Sequence, residues 1–205
     1  MQQITPIEFG KIYHIYIRGI NSTDIFREER NYPYFLNLYK KFILQIADTY
    51  AYCLLKNYFH ILVRIKEESE INYTQTKTQS GKLTNKKYNP SRQFSHLFNS
   101  YTQAFNKVYN RTGGLFERQF ERILVDSEEY CKTLVFYIHY NPVHHGFIEN
   151  MEDYNWSSYL SIFNNDAAFI DRNELMKWFD SLENFIEFHK YNAERKKFDD
   201  EGFEP

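Results

Sequence analysis

No apolar run in this chain approaches the length needed to cross a membrane, which excludes a hydrophobic helical span. The opening residues, 1–6, lack the basic start and apolar stretch of a secretion signal, so a cytoplasmic protein is expected. Cysteine is scarce. Cys53 and Cys131 each fall in an apolar segment without a CxxC partner, which argues against a disulfide scaffold or a cysteine metal motif and predicts two buried, reduced thiols. Glycine is scarce too, at seven residues, and no internal repeat occurs. What the chain has instead is aromatic bulk, 18 tyrosines and 19 phenylalanines in 205 residues. That length suffices for one sizeable core, or one domain with a C-terminal appendage.

The net charge of −2 is unevenly spread. Residues 77–122 hold nine basic against two acidic residues, a net of +7, whereas 147–205 hold six against fourteen, a net of −8. A basic stretch with interleaved aromatics suits a phosphate backbone and stacked bases. A solvated loop and helix face would look the same.

Residues 11–18 (KIYHIYIR) read as a strand ended by Gly19. Tyr34, Leu38, Phe42, Ile46 and Ala47 recur at helical spacing and predict a helix over 32–48. Strands are predicted over 50–55 and 59–65, joined at Lys56-Asn57 closely enough for a hairpin. Residues 67–92 are polar and read as a mobile loop. Phe94, Leu97, Phe98, Tyr101, Phe105 and Val108 mark a second helix, stopped by Thr112-Gly113-Gly114, and 116–125 is a further strand candidate. Asp126-Ser127-Glu128-Glu129 caps a helix through Tyr130, Leu134, Tyr137 and Ile138, predicted to stop ahead of Pro142. An acidic helix over about 172–191 follows.

The order predicts an α+β fold, a ferredoxin-like βαββαβ antiparallel sheet with helices on one face. A tyrosine-bearing helix and a C-terminal helical extension complete it. Residues 1–150 are expected to form the sheet domain and 151–205 an extension of the same globular unit.

Two stretches carry candidate chemistry. Alternation puts Tyr58, His60, Leu62 and Arg64 on one face of their strand and Phe59, Ile61, Val63 and Ile65 on the other, plainly apolar face. His60 alone is open to a structural hydrogen-bonding role or to metal binding. Tyr137 and Asn141 lie one turn apart on a common helix face. They could present a phenol and a carboxamide together, or serve as a core residue and a helix cap. Arg118 and Arg122, four apart in a strand candidate, would share a face and could meet phosphates. His144-His145 reads as an exposed turn or a metal ligand, and Trp156 as a core anchor or a base-stacking surface.

Several pieces then match in order: 13–19 (YHIYIRG) with 24–26 (DIF), 54–63 (LLKNYFHILV), 111–120 (RTGGLFERQF), 123–126 (ILVD), 137–143 (YIHYNPV) and 153–159 (DYNWSSY). Together they resemble the HUH single-strand DNA tyrosine transposases, closest to the REP-associated tyrosine transposase branch. The resemblance implies that Tyr137 attacks a DNA phosphate, forming a 5′-phosphotyrosine link and freeing a 3′-hydroxyl. It makes His60 the second histidine of the strand motif and Asn141 the polar residue completing a metal site for Mg²⁺ or Mn²⁺. The implied partner is single-stranded or hairpin DNA, with Arg18, Lys107, Arg111, Arg118 and Arg122 as its contacts, and relatives can work as dimers that exchange tyrosine helices.

One part departs from the pattern. Tyr58 stands where a metal-binding histidine is expected, and Lys56 replaces the usual proline. A phenol is a poor substitute for imidazole, and losing a ligand weakens metal binding by at least ~10–100-fold. The expectation is a metal weakly held or absent, or rescued by a ligand such as His14, with strand cleavage impaired and DNA binding retained. A non-catalytic DNA-binding descendant is the alternative, and a protein-binding domain without a nucleic-acid role is a third.

Overall fold

Alternation along β1, Ile12–Arg18, sends Tyr13, Ile15 and Ile17 to one face and His14, Tyr16 and Arg18 to the other, and its neighbours extend both faces into a sheet. The computed structural model describes residues 6–71, 75–77, 83–85, 88–117, 120–163 and 169–198, with the backbone alone at 75–77, 83–85 and 197–198. The helix α1 spans Asn31–Phe42, and β2 (Ala47–Leu55) and β3 (Tyr58–Ile65) follow, joined by Lys56 and Asn57 as a two-residue turn. A separate ribbon pairs β4 (Gln75–Lys77) with β5 (Leu83–Asn85). Then come α2 (Pro90–Val108), β6 (Glu121–Val125), α3 (Glu128–His144), α4 (Arg172–Phe179) and α5 (Leu182–Phe198). The main sheet runs β2-β3-β1-β6 with every neighbour antiparallel. That is the ferredoxin-like order.

Each face has its own core. Tyr13, Ile15, Ile17, Leu54, Phe59, Ile61, Val63 and Ile65 pack with α1 and α2, around Phe35, Tyr39, Phe94, Leu97 and Tyr101. Tyr50, Cys53, Leu55, Tyr58 and Leu62 pack with α3 to α5, around Leu134, Ile138, Leu175 and Phe185. The two crossover helices thus share one face as expected, and α3 and the C-terminal helices cover the other. Among the described residues no helix is long and apolar enough to cross a membrane. Phe59 has no exposed surface and meets the Phe35 ring at 5.0 Å and Phe98 at 5.8 Å. Phe59→Ala is expected to cost about 3–5 kcal/mol, read as a lower urea midpoint with an unchanged slope.

Local chemistry sets the element ends. Asn89 Oδ1 accepts from the Arg92 amide with Pro90 in the first turn of α2, and Ser127 Oγ accepts from the Tyr130 amide at the start of α3. Gly19 lets β1 leave the sheet: a Cβ there would stand 2.1 Å from the Thr23 carbonyl oxygen.

Several boundaries differ from the sequence reading. The first helix ends at Phe42, because Ile46 and Ala47 are buried by a turn and by the start of β2. Within 67–92, Glu68–Glu70 form a 3₁₀ turn, the β4–β5 ribbon follows, and α2 begins at Pro90. The strand expected over 116–125 is confined to β6, with Phe116 forming an isolated bridge to Gly19. Pro142 lies inside α3, where burial of Asn141 and Pro142 holds the final turn although the proline cannot donate to the Ile138 carbonyl. The C-terminal helix is two helices, broken at Asp180 with φ +62°.

Beyond α3 a strap runs along the outer edge of β2. The Leu54 amide donates to Trp156 O at 2.9 Å, the Ser158 amide to Tyr52 O at 2.9 Å and the Asp171 amide to Thr49 O at 2.8 Å. This covers an edge that would otherwise invite pairing with another chain. Trp156 anchors the strap by stacking on Tyr32, ring centroids 4.6 Å apart.

Candidate active site

His60 points from the middle of β3 toward α3, and the register places it beside Tyr16 on β1 and Cys53 on β2. Tyr137 on α3 meets it from above, its ring edge-on to His60 at 5.4 Å and to His14 at 6.2 Å. Tyr58, two residues before His60, lies edge-on to it at 5.3 Å. The structure therefore brings His60, Tyr58, Tyr137 and Asn141 together, and adds His14.

The hydrogen bonds show how this space is used. The Tyr58 hydroxyl donates to Asn141 Oδ1 at 3.0 Å, and the Asn141 amide group donates to the Tyr137 carbonyl at 3.2 Å. His60 Nδ1 and His14 Nε2 are 2.9 Å apart and share one proton-donor bond. His14 has no exposed surface and its Nδ1 has no hydrogen-bond partner. Burial pushes the His14 pKa down to about 4. His60 is pushed well below its ordinary value by burial first, then by His14, Arg18 and His145. Both rings are neutral at physiological pH, and burial first, then Glu121, raises the Tyr16 phenol.

A hard divalent ion such as Mg²⁺ or Mn²⁺ takes oxygen ligands, with carboxylates prominent among them. Here the carboxamide oxygen that would face it already accepts from the Tyr58 hydroxyl, and His60 offers only Nε2. Among the described residues no group of three or more His, Cys, Asp or Glu side chains is arranged to hold a metal. The donor set does not fit such an ion.

The basic candidates are dispersed. Arg18 is exposed at the end of β1, its guanidinium 5.5 Å from the centre of the Tyr58 ring. Lys107 is exposed near the end of α2. Arg111 donates to Asn106 Oδ1 at 3.0 Å and to Gly114 O at 3.4 Å, in a loop tied to the segment after β1 by the Ile20 amide and Leu115 O at 3.0 Å. Arg122 departs from the expectation of a shared DNA-facing surface. It pairs with Ile15 in the register, so it faces α1 and α2, away from His60, with its guanidinium 4.8 Å over Phe120. Arg118 lies outside the described residues. His144 and His145 are exposed, and the His145 ring lies 5.4 Å from that of Tyr58.

Sequence reasoning missed a second polar group, His139 with Ser158 and His189, all without exposed surface. Only the oddity of histidines at buried helical positions could have signalled it.

No protein-family model matches the chain. Over 115 residues it is 29% identical to a REP-associated tyrosine transposase of Haemophilus influenzae, covering 55% of this chain and 58% of that protein. The chain thus spans less than two thirds of that relative's length. In fold it is similar to the solved structure of a REP-associated tyrosine transposase bound to a REP hairpin, with a TM-score of 0.55, 12% identity, and coverage of 80% of this chain and 87% of that one. The likeness in sequence and the likeness in fold both fall on REP-associated tyrosine transposases, the branch that the ordered motifs also resemble.

Proposed function

We propose that this chain is a cytoplasmic protein that binds hairpin or single-stranded DNA and whose metal-assisted tyrosine cleavage is impaired. The observation that carries the reading is the buried bond from the Tyr58 hydroxyl to Asn141 Oδ1 at 3.0 Å. Cleavage by Tyr137 would form a bond from its phenol oxygen to phosphorus while the 3′ oxygen leaves. Charge grows on that oxygen and must be stabilised. With Asn141 engaged by Tyr58 and His60 neutral, Arg18 is the nearby cation left to help. A divalent ion would supply that stabilisation in relatives with a complete ligand set; these residues do not provide one.

Binding needs less. Arg18, Lys107 and Arg111 can meet phosphates. Relatives support the target, since the REP-associated transposase of similar fold was solved with a REP hairpin.

The test uses a labelled single-stranded hairpin with Mn²⁺. Wild type is expected to bind with an affinity that falls as salt rises, and to form no covalent adduct. Arg18→Ala is expected to lower affinity several-fold and to reduce the salt slope by about 1. A Tyr137-dependent adduct on wild type would refute the impairment, and salt-insensitive or undetectable binding would refute the DNA reading altogether.

A further inference from the structure

His139 lies two residues from both Tyr137 and Asn141, about 200° round the helix from each. On that other side it meets Ser158 of the strap and His189 of α5, and none of the three has exposed surface. Their surroundings are aromatic: Phe136, Tyr159, Phe179, Phe185 and Phe188. Water cannot satisfy these groups, so they must satisfy one another.

The partners fix the direction of every bond. A carbonyl only accepts, so His189 Nδ1, 2.8 Å from Phe185 O, carries the proton. A neutral ring has one such proton, which leaves His189 Nε2 bare to accept from His139 Nδ1 at 3.1 Å. His139 Nε2 is then bare in turn and accepts from the Ser158 hydroxyl at 2.7 Å. The Ser158 oxygen accepts from the Tyr52 amide at 2.9 Å. Its longer approach to Tyr52 O, 3.3 Å, has no proton left to use. Each ring gives one bond and takes one. No alternative tautomer satisfies all four contacts.

We infer that His139 is a positioning residue, the middle link of a one-way hydrogen-bond chain from Tyr52 through Ser158, His139 and His189 to Phe185. The chain sets the roll of α3 and docks α5 against it. Apolar packing is non-directional and tolerates a helix turning about its axis, whereas a ring with both nitrogens committed does not. The roll is what aims Tyr137 and Asn141 at β3, and in that respect alone the inference rests on the proposed function.

The test needs no DNA, so its failure is distinct from failure of the DNA reading. Nitrogen NMR of the imidazoles in the whole chain at neutral pH is expected to show the proton on Nδ1 of both His139 and His189. A proton on Nε2 of either ring would overturn the chain. His139→Asn keeps an N–H near the Nδ1 position and with it the link to His189, whereas His139→Leu keeps neither link. Amide exchange on α5 should match wild type in the asparagine variant and speed up in the leucine variant. The His60 ring protons, close to the Tyr137 ring, should hold their chemical shifts in the first and move in the second. Equal behaviour of the two variants, or unmoved His60 signals in both, would reduce His139 to packing. Should the leucine variant fail to fold, His139→Gln replaces it. Glutamine restores only the Ser158 link, so α5 exchange should rise there and not with asparagine; equal exchange would again overturn the inference.

Discussion

Tyr58→His is expected to produce an Mn²⁺-dependent covalent adduct on single-stranded hairpin DNA that wild type does not form, by strengthening metal binding at least ~10–100-fold. The substitution acts twice. It removes the hydroxyl that occupies Asn141 Oδ1, and it returns an imidazole two residues before His60, on the same face of β3. The rest of the site is already positioned, with Tyr137 edge-on to His60 at 5.4 Å and His60 held through Nδ1 by His14. Held there, His60 has Nε2 for a ligand, and an orienting partner on the other nitrogen is what metal-binding histidines usually have. Gel-shifted adduct is the readout, and Tyr58→His with Tyr137→Phe must return it to background. A Tyr58→His variant that binds the hairpin like wild type yet forms no adduct would show that the impairment lies elsewhere.

Acidification is expected to remove much of the folding stability before most carboxylates titrate. His14 and His189 have pKa values lowered by burial from 6.5 to about 4, and burial lowers His60 and His139 in the same direction. Between pH 6.5 and 4 the unfolded chain takes up protons that the folded chain refuses, so stability rises with pH there. The contribution is fully present above about pH 6.5 and is lost as pH falls toward 4. His14 and His189 account for about 3 kcal/mol each, against about 5–15 kcal/mol for a whole domain. Glu70, held down to about 2 by Arg64, acts at lower pH. Urea midpoints at pH 7 and pH 5 measure the effect, and equal midpoints would show that these histidines are not buried neutral in solution.

The strands were legible because alternation reports directly on a sheet with two buried faces, and the Lys56-Asn57 turn because only two residues separate β2 from β3. The placement of Tyr58 was legible for the same reason: counting by twos from His60 puts it on the same face. Helical spacing was less informative at Ile46 and Ala47, since periodicity records which residues are buried and not which element buries them. Pro142 misled in the other direction, because a local rule against helix was outweighed by burial of the last turn. Arg122 was assigned to a strand face but to no particular side; only pairing with Ile15 decides that. The hydrogen bonds were invisible. Tyr58 and Asn141 are 83 residues apart, His14 and His60 are 46 apart, and His139 and His189 are 50 apart, distances over which a single sequence carries no pairing signal.

The phenol of Tyr58 sits in its place without dislodging His60, His14 or Asn141, and this has a genetic consequence. Tyrosine and histidine codons differ only in their first base, T against C, so one transition separates the two side chains. A lineage carrying this chain is therefore one base change away from the histidine form at this position.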